Sequence, residues 1–117
     1  MADEILSNTE CKKHILAVND AMDLLNGKWK ISIIAVLQYY GKRRFSNILN
    51  DVDGISNKML SKELKELEMN KLVTRTVLET HPVTVEYSLT EYGKELQAMI
   101  KSLSEWGIKH RKKVIGR

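Results

Sequence analysis

The sequence of residues 56–90 is SNKMLSKELKELEMNKLVTRTVLETHPVTVEYSLT. Its first part has leucines three and four positions apart among Lys and Glu, which is the spacing of an amphipathic helix. Ser56 precedes this part and is predicted to cap a helix from Asn57 to about Asn70. The second part alternates β-branched and polar residues on both sides of residues 80–82, which contain the only proline. This segment is therefore predicted to be one helix followed by a β-hairpin.

Five further elements are predicted around this segment. Gly27, Gly41 and Gly54 follow apolar-periodic stretches, as expected at helix C-termini. The predicted elements are a helix from Ile15 to Asn26, a helix from Lys28 to Tyr40, a very short strand at Phe45, a short helix capped by Ser46 and ending near Val52, and a final helix from Glu91 to Lys113 capped by Thr90. The order of elements predicts an α+β, mainly helical fold, namely a winged helix-turn-helix with a two-stranded wing and a long C-terminal dimerisation helix.

Length and composition fit one globular domain over residues 1–117, with 43% hydrophobic and 29% charged residues. The DNA-reading part is assigned to about residues 28–90 and the dimerisation helices to about 12–26 and 91–113. A single cysteine excludes an internal disulfide framework. No apolar run is long enough to span a membrane, and the acidic start of the chain is unlike a signal peptide, so we expect a cytoplasmic protein without a membrane partner. The net charge of +4 favours polyanionic partners.

The predicted helix after Ser56 has two distinct faces. With about 100° per residue, its three leucines share one side, and Lys58, Lys62 and Lys65 cluster on the opposite side. We call these three lysines the lysine face. Lysines there would contact phosphates or guanine edges, while Asn57 and Ser61 could form hydrogen bonds with bases or backbone. The alternative interpretation is a solvated helix face with Lys–Glu pairs.

Other candidate DNA contacts lie outside this helix. Arg43 and Arg44 precede the short helix and are candidates for phosphate contacts, with pairing to Asp51 or Asp53 as the alternative for them. A wing can enter the minor groove, where its polar or basic residues contact the backbone. The candidate wing residues are Arg75 in the first strand and His81 and Thr84 beside the tip.

The last predicted helix carries apolar or aromatic residues at steps of four and three, which form a heptad seam. The seam consists of Tyr92, Leu96, Met99, Leu103, Trp106 and His110, and Ile100 widens it. Such a seam on a terminal helix predicts a homodimer, whose two-fold symmetry would suit a palindromic operator. The alternative is packing of this helix onto the first helix of the same chain.

Enzyme chemistry is not predicted. The sequence has no Gly-rich phosphate loop, no nucleophile elbow and no cluster with metal-ligand spacing, so no catalytic residue, metal or cofactor is expected. The alternative function is a winged-helix module that binds another protein without specific DNA binding. An adaptor of that kind would expose an apolar patch where this sequence places the lysine face.

Six motifs occur along the chain in a characteristic order and spacing. They are LLNGKW (24–29), RF (44–45), GISNKML (54–60), LKEL (64–67), EYSLT (86–90) and Trp106. Together they resemble the HxlR-type transcription regulators, which are small bacterial winged helix-turn-helix proteins related in architecture to the MarR regulators. The likeness covers about Cys11 to His110. It implies a dimeric DNA-binding regulator built on its first and last helices, with residues 56–65 as the reading segment and 80–84 as the wing tip.

The resemblance also raises the question of a signal. Some family members sense oxidants or electrophiles through a cysteine at the position of Cys11, and here Lys12, Lys13 and His14 follow it. Positive charge favours the reactive thiolate form of cysteines in general. The alternative is an inert cysteine near the interface. A small-molecule effector could occupy apolar space between the domain body and the dimer helices. Two departures from the family are Lys12, where a proline is frequent, and the single Pro82 at the wing.

Overall fold

The computed structural model describes residues 8–116, so the acidic start of the chain and Arg117 lie outside the described residues. Six helices and three strands make up this part. They are α1 (Asn8–Leu24), α2 (Lys30–Tyr40), β1 (Lys42–Arg44), α3 (Phe45–Asp51), α4 (Asn57–Met69), β2 (Val73–Leu78), β3 (Thr84–Leu89), α5 (Glu91–Lys94) and α6 (Gln97–Ile115). The predicted winged helix-turn-helix fold is confirmed.

The sheet has three antiparallel strands in the order β1-β3-β2. The wing hairpin of β2 and β3 was predicted, but β1 is an addition to the predicted two-stranded wing. Three residues, Lys42 to Arg44, pair with β3 and place Arg44 opposite Glu86. This edge strand ties the segment between α2 and α3 to the β3 side of the wing.

The core lies where α2, α3 and α4 meet the sheet. The three leucines predicted to face inward on α4 are buried, with at most 1% of each exposed. They pack in one cluster with Ile33 and Leu37 of α2. The leucine spacing of α4 therefore corresponds to one buried apolar face. Burial of each of these leucine side chains contributes about 1.5–3 kcal/mol.

Two predicted helix starts are wrong. The first helix begins at Asn8 rather than Ile15. The short helix begins at Phe45 with Arg44 in the N-cap position, so Ser46 is not its cap and Phe45 is not in a strand. Pairing of β1 with β3 keeps the backbone extended as far as Arg44, and the chain enters α3 immediately afterwards.

The predicted final helix is divided into α5 and α6. Thr90 caps α5 as predicted, because its Oγ1 accepts the Gly93 amide proton at 2.9 Å. The amides of Glu95 and Leu96 then bond to carbonyls only three residues back, which tightens the helix before α6 begins. As a result Leu96 packs against the core instead of continuing an exposed seam.

Candidate nucleic-acid interface

The first turn of α4 is built by the predicted cap. Ser56 is extended, and its Oγ accepts the Met59 amide proton at 3.1 Å. This bond satisfies one of the amide groups that a helix N-terminus leaves free. Ser56, Asn57 and Lys58 are exposed, so the capped end of α4 is open to solvent.

The lysine face is exposed along α4, opposite the buried leucines. Lys62 Nζ lies 3.9 Å from Glu66 Oε2, so the alternative interpretation as a Lys–Glu pair applies to this lysine. Such an exposed pair contributes little to stability, so Lys62 can readily exchange Glu66 for another anion. The lysine face therefore presents cations that a polyanion could contact.

A concave surface joins α4 to the sheet. It is lined by Ser61 and Lys65 of α4 and by Arg75 and Tyr87 of the sheet, together with Glu68. Three of the predicted DNA contacts thus meet in one groove beside the recognition helix. Glu68 was not predicted there, because a helix-wheel argument places side chains around one helix but does not show which of them face a strand.

A second concave surface lies between α3 and the wing. Arg44 and Thr84 line it with Phe45, Ser46 and Val85. At the wing tip, Thr80 Oγ1 donates to the Pro82 carbonyl at 2.7 Å and lies 3.1 Å from Thr84 Oγ1. His81 is exposed at this tip, next to a cis bond to Pro82. Arg44 and Thr84 therefore lie on the same concave surface, a proximity that the sequence analysis did not predict.

The side chain of Arg43 is bound by other residues of the protein. Its guanidinium donates from Nε to Asp51 Oδ2 at 2.8 Å and from a terminal nitrogen to Oδ1 at 2.9 Å. The same group lies over the Tyr40 ring at 4.0 Å from the centroid. The structure therefore supports the alternative for Arg43, pairing with Asp51, whereas Arg44 remains exposed.

One charged cluster near α4 escaped the sequence analysis. The Lys30 ammonium lies 2.5 Å from Glu63 and donates a hydrogen bond to Glu66 at 3.3 Å, so the first residue of α2 is joined to α4. Burial lowers the pKa of Lys30, but its pairing with Glu63 and Glu66 outweighs burial and holds that pKa above the ordinary 10.5. Lys30 precedes an apolar run, and no local pattern indicates its partners.

The two long terminal helices expose apolar side chains. Within the described part of the chain, α1 has no buried residue, and Ile15, Val18 and Met22 recur along it at steps of three and four. On α6 the exposed seam runs from Met99 through Leu103 to Trp106, whose side chain is 61% exposed. His110 stacks on Trp106 with ring centroids 4.8 Å apart.

The predicted seam changes at its N-terminal end. Leu96 is partly buried, and Tyr92 belongs to the separate helix α5. Ile100, which was expected to widen the seam, is buried in the core. The seam observed on α6 is therefore shorter than the predicted one.

A groove of about 720 Å³ separates the domain body from α6. Gln38 and Tyr39 of α2 line one side, and Ile100 and Lys101 of α6 lie on the other. Among residues 8–116, no group of three or more His, Cys, Asp or Glu side chains is placed to hold a metal ion. In the same range, no helix is long and apolar enough to cross a membrane.

Comparison with protein families identifies this architecture. Residues 24–114 match the model of the HxlR-like helix-turn-helix. The chain belongs to the HxlR-like helix-turn-helix family. The HxlR-like match runs from the end of α1 to the last turn of α6, so it includes the capped recognition helix and the wing. Its function as a DNA-binding transcription regulator, predicted from the sequence, is confirmed.

Individual relatives agree with the HxlR-like assignment. The transcriptional regulator YodB of Bacillus subtilis is 43% identical over 101 residues, which cover 86% of each protein. YtcD of the same organism, an HTH-type transcriptional regulator, is 36% identical over 107 residues, 92% of this chain and 84% of the relative.

Solved structures show the same HxlR-like fold. The redox regulator HypR in its reduced form superimposes with a TM-score of 0.78 at 34% identity, over 86% of this chain and 99% of HypR. Reduced YodB gives a TM-score of 0.67 at 44% identity, over 75% of this chain and 85% of that one.

Proposed function

We propose that this regulator binds a pseudo-palindromic operator as a homodimer, with α4 of each protomer in the major groove of one half-site. The observation that carries the proposal is the lysine face on a capped, solvent-open helix whose opposite face is locked into the core. A recognition helix needs both properties, because it must be rigidly held and must present its first turns to the groove.

The residues outside α4 extend this contact in two directions. Arg75 continues the groove from Lys65 and Ser61 along the sheet. Arg44 and Thr84 supply a second polar surface toward the wing, and His81 lies at its tip. We assign phosphate contacts to the arginines, because charged contacts of this kind fix the protein on the duplex without discriminating bases. Base discrimination is assigned to the first turns of α4, including Asn57 and Ser61. A regulator with this role would act in the cytoplasm, on nucleoid DNA.

The homodimer is proposed from the exposed faces of α1 and α6. Contiguous apolar surface rimmed by polar residues marks interaction sites, and aromatic residues such as Trp106 are enriched in interface cores. A second copy related by two-fold symmetry would cover the apolar faces of α1 and α6 together, since each protomer then contributes the same patch to the interface. The interface residues proposed are Tyr92, Leu96, Met99, Leu103, Trp106 and His110, with the partly buried Leu96 at its edge.

DNA binding is tested by fluorescence anisotropy with DNA from upstream of the gene, random DNA of equal length as competitor, and two salt concentrations. We expect binding that survives the competitor and weakens steeply with salt. Alanine at Lys58 or Lys65 should lower the salt slope by about 1. Alanine at the exposed Lys101 on α6 is the matched control. Absence of binding even at low salt would favour the protein-binding module instead.

The dimer is tested by mass in solution. Wild type should have twice the chain mass of 13.5 kDa. Leu103→Glu, which places a charge in the seam, should give the single-chain mass and weaken operator binding. Ser102→Glu adds the same charge at a neighbouring exposed position and should remain dimeric. A dimeric Leu103→Glu protein would argue against α6 as the interface.

A second function, redox response through Cys11, is supported by a separate observation. Cys11 is a partly exposed free thiol on α1, within the helix proposed to form the dimer, and the relative HypR is a redox regulator. Two Cys11 thiols of two protomers would give one disulfide while the oxidant takes up two electrons and two protons; with a small thiol the product is a mixed disulfide. A small-molecule effector would instead occupy the groove between α2 and α6.

The redox proposal is tested by treating the protein with diamide before the DNA measurement. Wild type should change its affinity for the operator, and thiol reductant should reverse the change. Cys11→Ser should bind DNA normally and lose the oxidant effect. Unchanged oxidant sensitivity in Cys11→Ser would exclude Cys11 as the sensor.

A further inference from the structure

The ion pair between α2 and α4 has a geometry that packing alone does not require. The side chains of Lys30 and Glu63 are only 4% and 7% exposed, and they bring opposite charges together inside the domain. Replacing a buried ion pair by apolar residues of similar volume is often neutral or stabilising. The pair therefore adds little stability compared with apolar packing, and its main structural effect is to fix the position of α4 against α2.

Lys30 contacts two carboxylates on the same helix. Its ammonium lies 2.5 Å from Glu63 Oε2 and 3.3 Å from Glu66 Oε1. Because these two residues are one helical turn apart, a single fixed cation determines both the rotation of α4 about its axis and its position along that axis. An apolar contact would tolerate small rotations that a pair of charge contacts does not.

Glu66 also lies next to the lysine face. Its second oxygen, Oε2, is 3.9 Å from Lys62 Nζ, so Lys30 and Lys62 compete for the same carboxylate. With Lys30 present, the shorter contact of Glu66 is to the buried Lys30 ammonium, and Lys62 remains weakly held and largely exposed. Without Lys30, Glu66 would keep only its long contact with Lys62, and the charge contacts that join α2 to α4 would be lost.

We infer that Lys30 is a positioning residue for the recognition helix, which fixes the orientation of α4 by holding Glu63 and the Oε1 atom of Glu66 against α2. This inference rests on the proposed DNA-binding function. Lys30 touches no DNA itself and acts through the two glutamates. Its effect is therefore on discrimination between DNA sequences more than on attraction to DNA in general, because attraction depends on the lysines and arginines at the surface.

The decisive variant removes the pair without changing net charge. Lys30→Met with Glu63→Met replaces both charges by apolar side chains of similar length and should keep the protein folded, as measured by urea unfolding. A DNA site is first selected from a random-sequence library with the wild-type dimer. We expect the double variant to bind random DNA within about twofold of wild type, but to lose about tenfold in its preference for the selected site. Lys30→Arg keeps both charge contacts and should retain the preference.

A milder variant guards against loss of folding. Glu66→Gln leaves the Lys30–Glu63 pair in place and changes a side chain that is 40% exposed. It should stay folded, bind random DNA more tightly because Lys62 loses its acidic neighbour, and show a lower site preference than wild type. These effects separate positioning from a structural role, which would alter stability and leave the preference of the folded protein unchanged.

The outcomes are distinguishable. If the wild type selects no sequence from the library, the proposed function fails and the inference falls with it. If the wild type selects a site and the folded double variant or Glu66→Gln prefers that site as strongly, only the positioning role of Lys30 is overturned. Loss of preference in both variants, with retention in Lys30→Arg, supports the inference.

Discussion

The guanidinium of Arg43 is held by the carboxylate of Asp51 through two hydrogen bonds of 2.8 and 2.9 Å, which join β1 to the last turn of α3. Both side chains are mostly buried, at 23% and 15% exposure. The neighbouring Arg44 has no such commitment among the contacts described and lies at the surface. Two adjacent arginines therefore differ in their surroundings, because Arg43 is bound inside the fold and Arg44 is exposed at the surface.

Alanine substitutions should separate these two roles. Arg43→Ala should lower the free energy of unfolding by about 1.5–3 kcal/mol, because Asp51 loses charge-assisted hydrogen bonds in a partly buried site. Arg44→Ala should leave stability within about 0.5 kcal/mol and reduce the salt slope of DNA binding by about 1. Urea unfolding and anisotropy titrations measure the two quantities. The opposite assignment of effects would show that Arg43 is the DNA contact.

Alanine at Gly93 is predicted to destabilise the fold. A Cβ there would overlap the carbonyl oxygen of Leu72 and approach its carbon to 3.1 Å. Because the obstacle is backbone, α5 would have to move, and Gly93→Ala should cost about 1–3 kcal/mol or more in urea unfolding. Gly107→Ala is the control, since open space surrounds that position and the helix should gain about 0.5–1 kcal/mol. Equal effects of the two substitutions would contradict the close approach.

Lys71 is the one described non-glycine residue with positive φ, at 65°. A side chain in this left-handed conformation is strained by about 1–2 kcal/mol, whereas glycine is not. Lys71→Gly should therefore raise the free energy of unfolding by about 1 kcal/mol after allowing for the greater freedom of glycine in the unfolded chain. Lys71→Ala, which removes the charge but keeps Cβ, should give no such gain. A similar gain in both variants would attribute the effect to the charge instead.

Alkaline pH should reveal the contribution of Lys30. Its pKa is raised in the folded state, so the stability that its pairing supplies is complete below the ordinary value of 10.5 and is lost as pH rises through the folded pKa. The difference in unfolding free energy between wild type and Lys30→Met should stay constant from about pH 7 to about 9.5 and shrink above about 10.5. Urea titrations at several pH values provide the measurement. A difference that widens with rising pH would contradict the pairing.

Features encoded within a few residues could be predicted from the sequence. Leu60, Leu64 and Leu67 define the buried face of α4 by spacing alone, and Ser56 caps the same helix because a serine before the first turn has a direct hydrogen-bonding use. Thr90 was identified for the same reason. The lysine face follows from the leucines, since opposite sides of a helix are related by simple geometry.

Features that depend on contacts between distant segments could not be predicted. Strand β1 consists of Lys42, Arg43 and Arg44, a composition without any apolar alternation, and it forms because β3 has an edge available for pairing. The buried position of Lys30 depends on Glu63 and Glu66 far along the chain. The close approach of Gly93 in α5 to the Leu72 carbonyl likewise joins two segments that are far apart in the sequence. In each case the deciding partner is supplied by the tertiary fold.

Helix α1 has 17 residues, none of them fully buried within residues 8–116, although its last residue, Leu24, packs against the core. Most helical stability in proteins comes from packing of a helix face, and α1 has little such packing within its own chain. Under the homodimer proposal, helix formation and dimer formation are one equilibrium governed by mass action. Dilution would then separate the protomers and unfold α1. The activity of the regulator would therefore depend on its concentration in the cell as well as on any chemical signal.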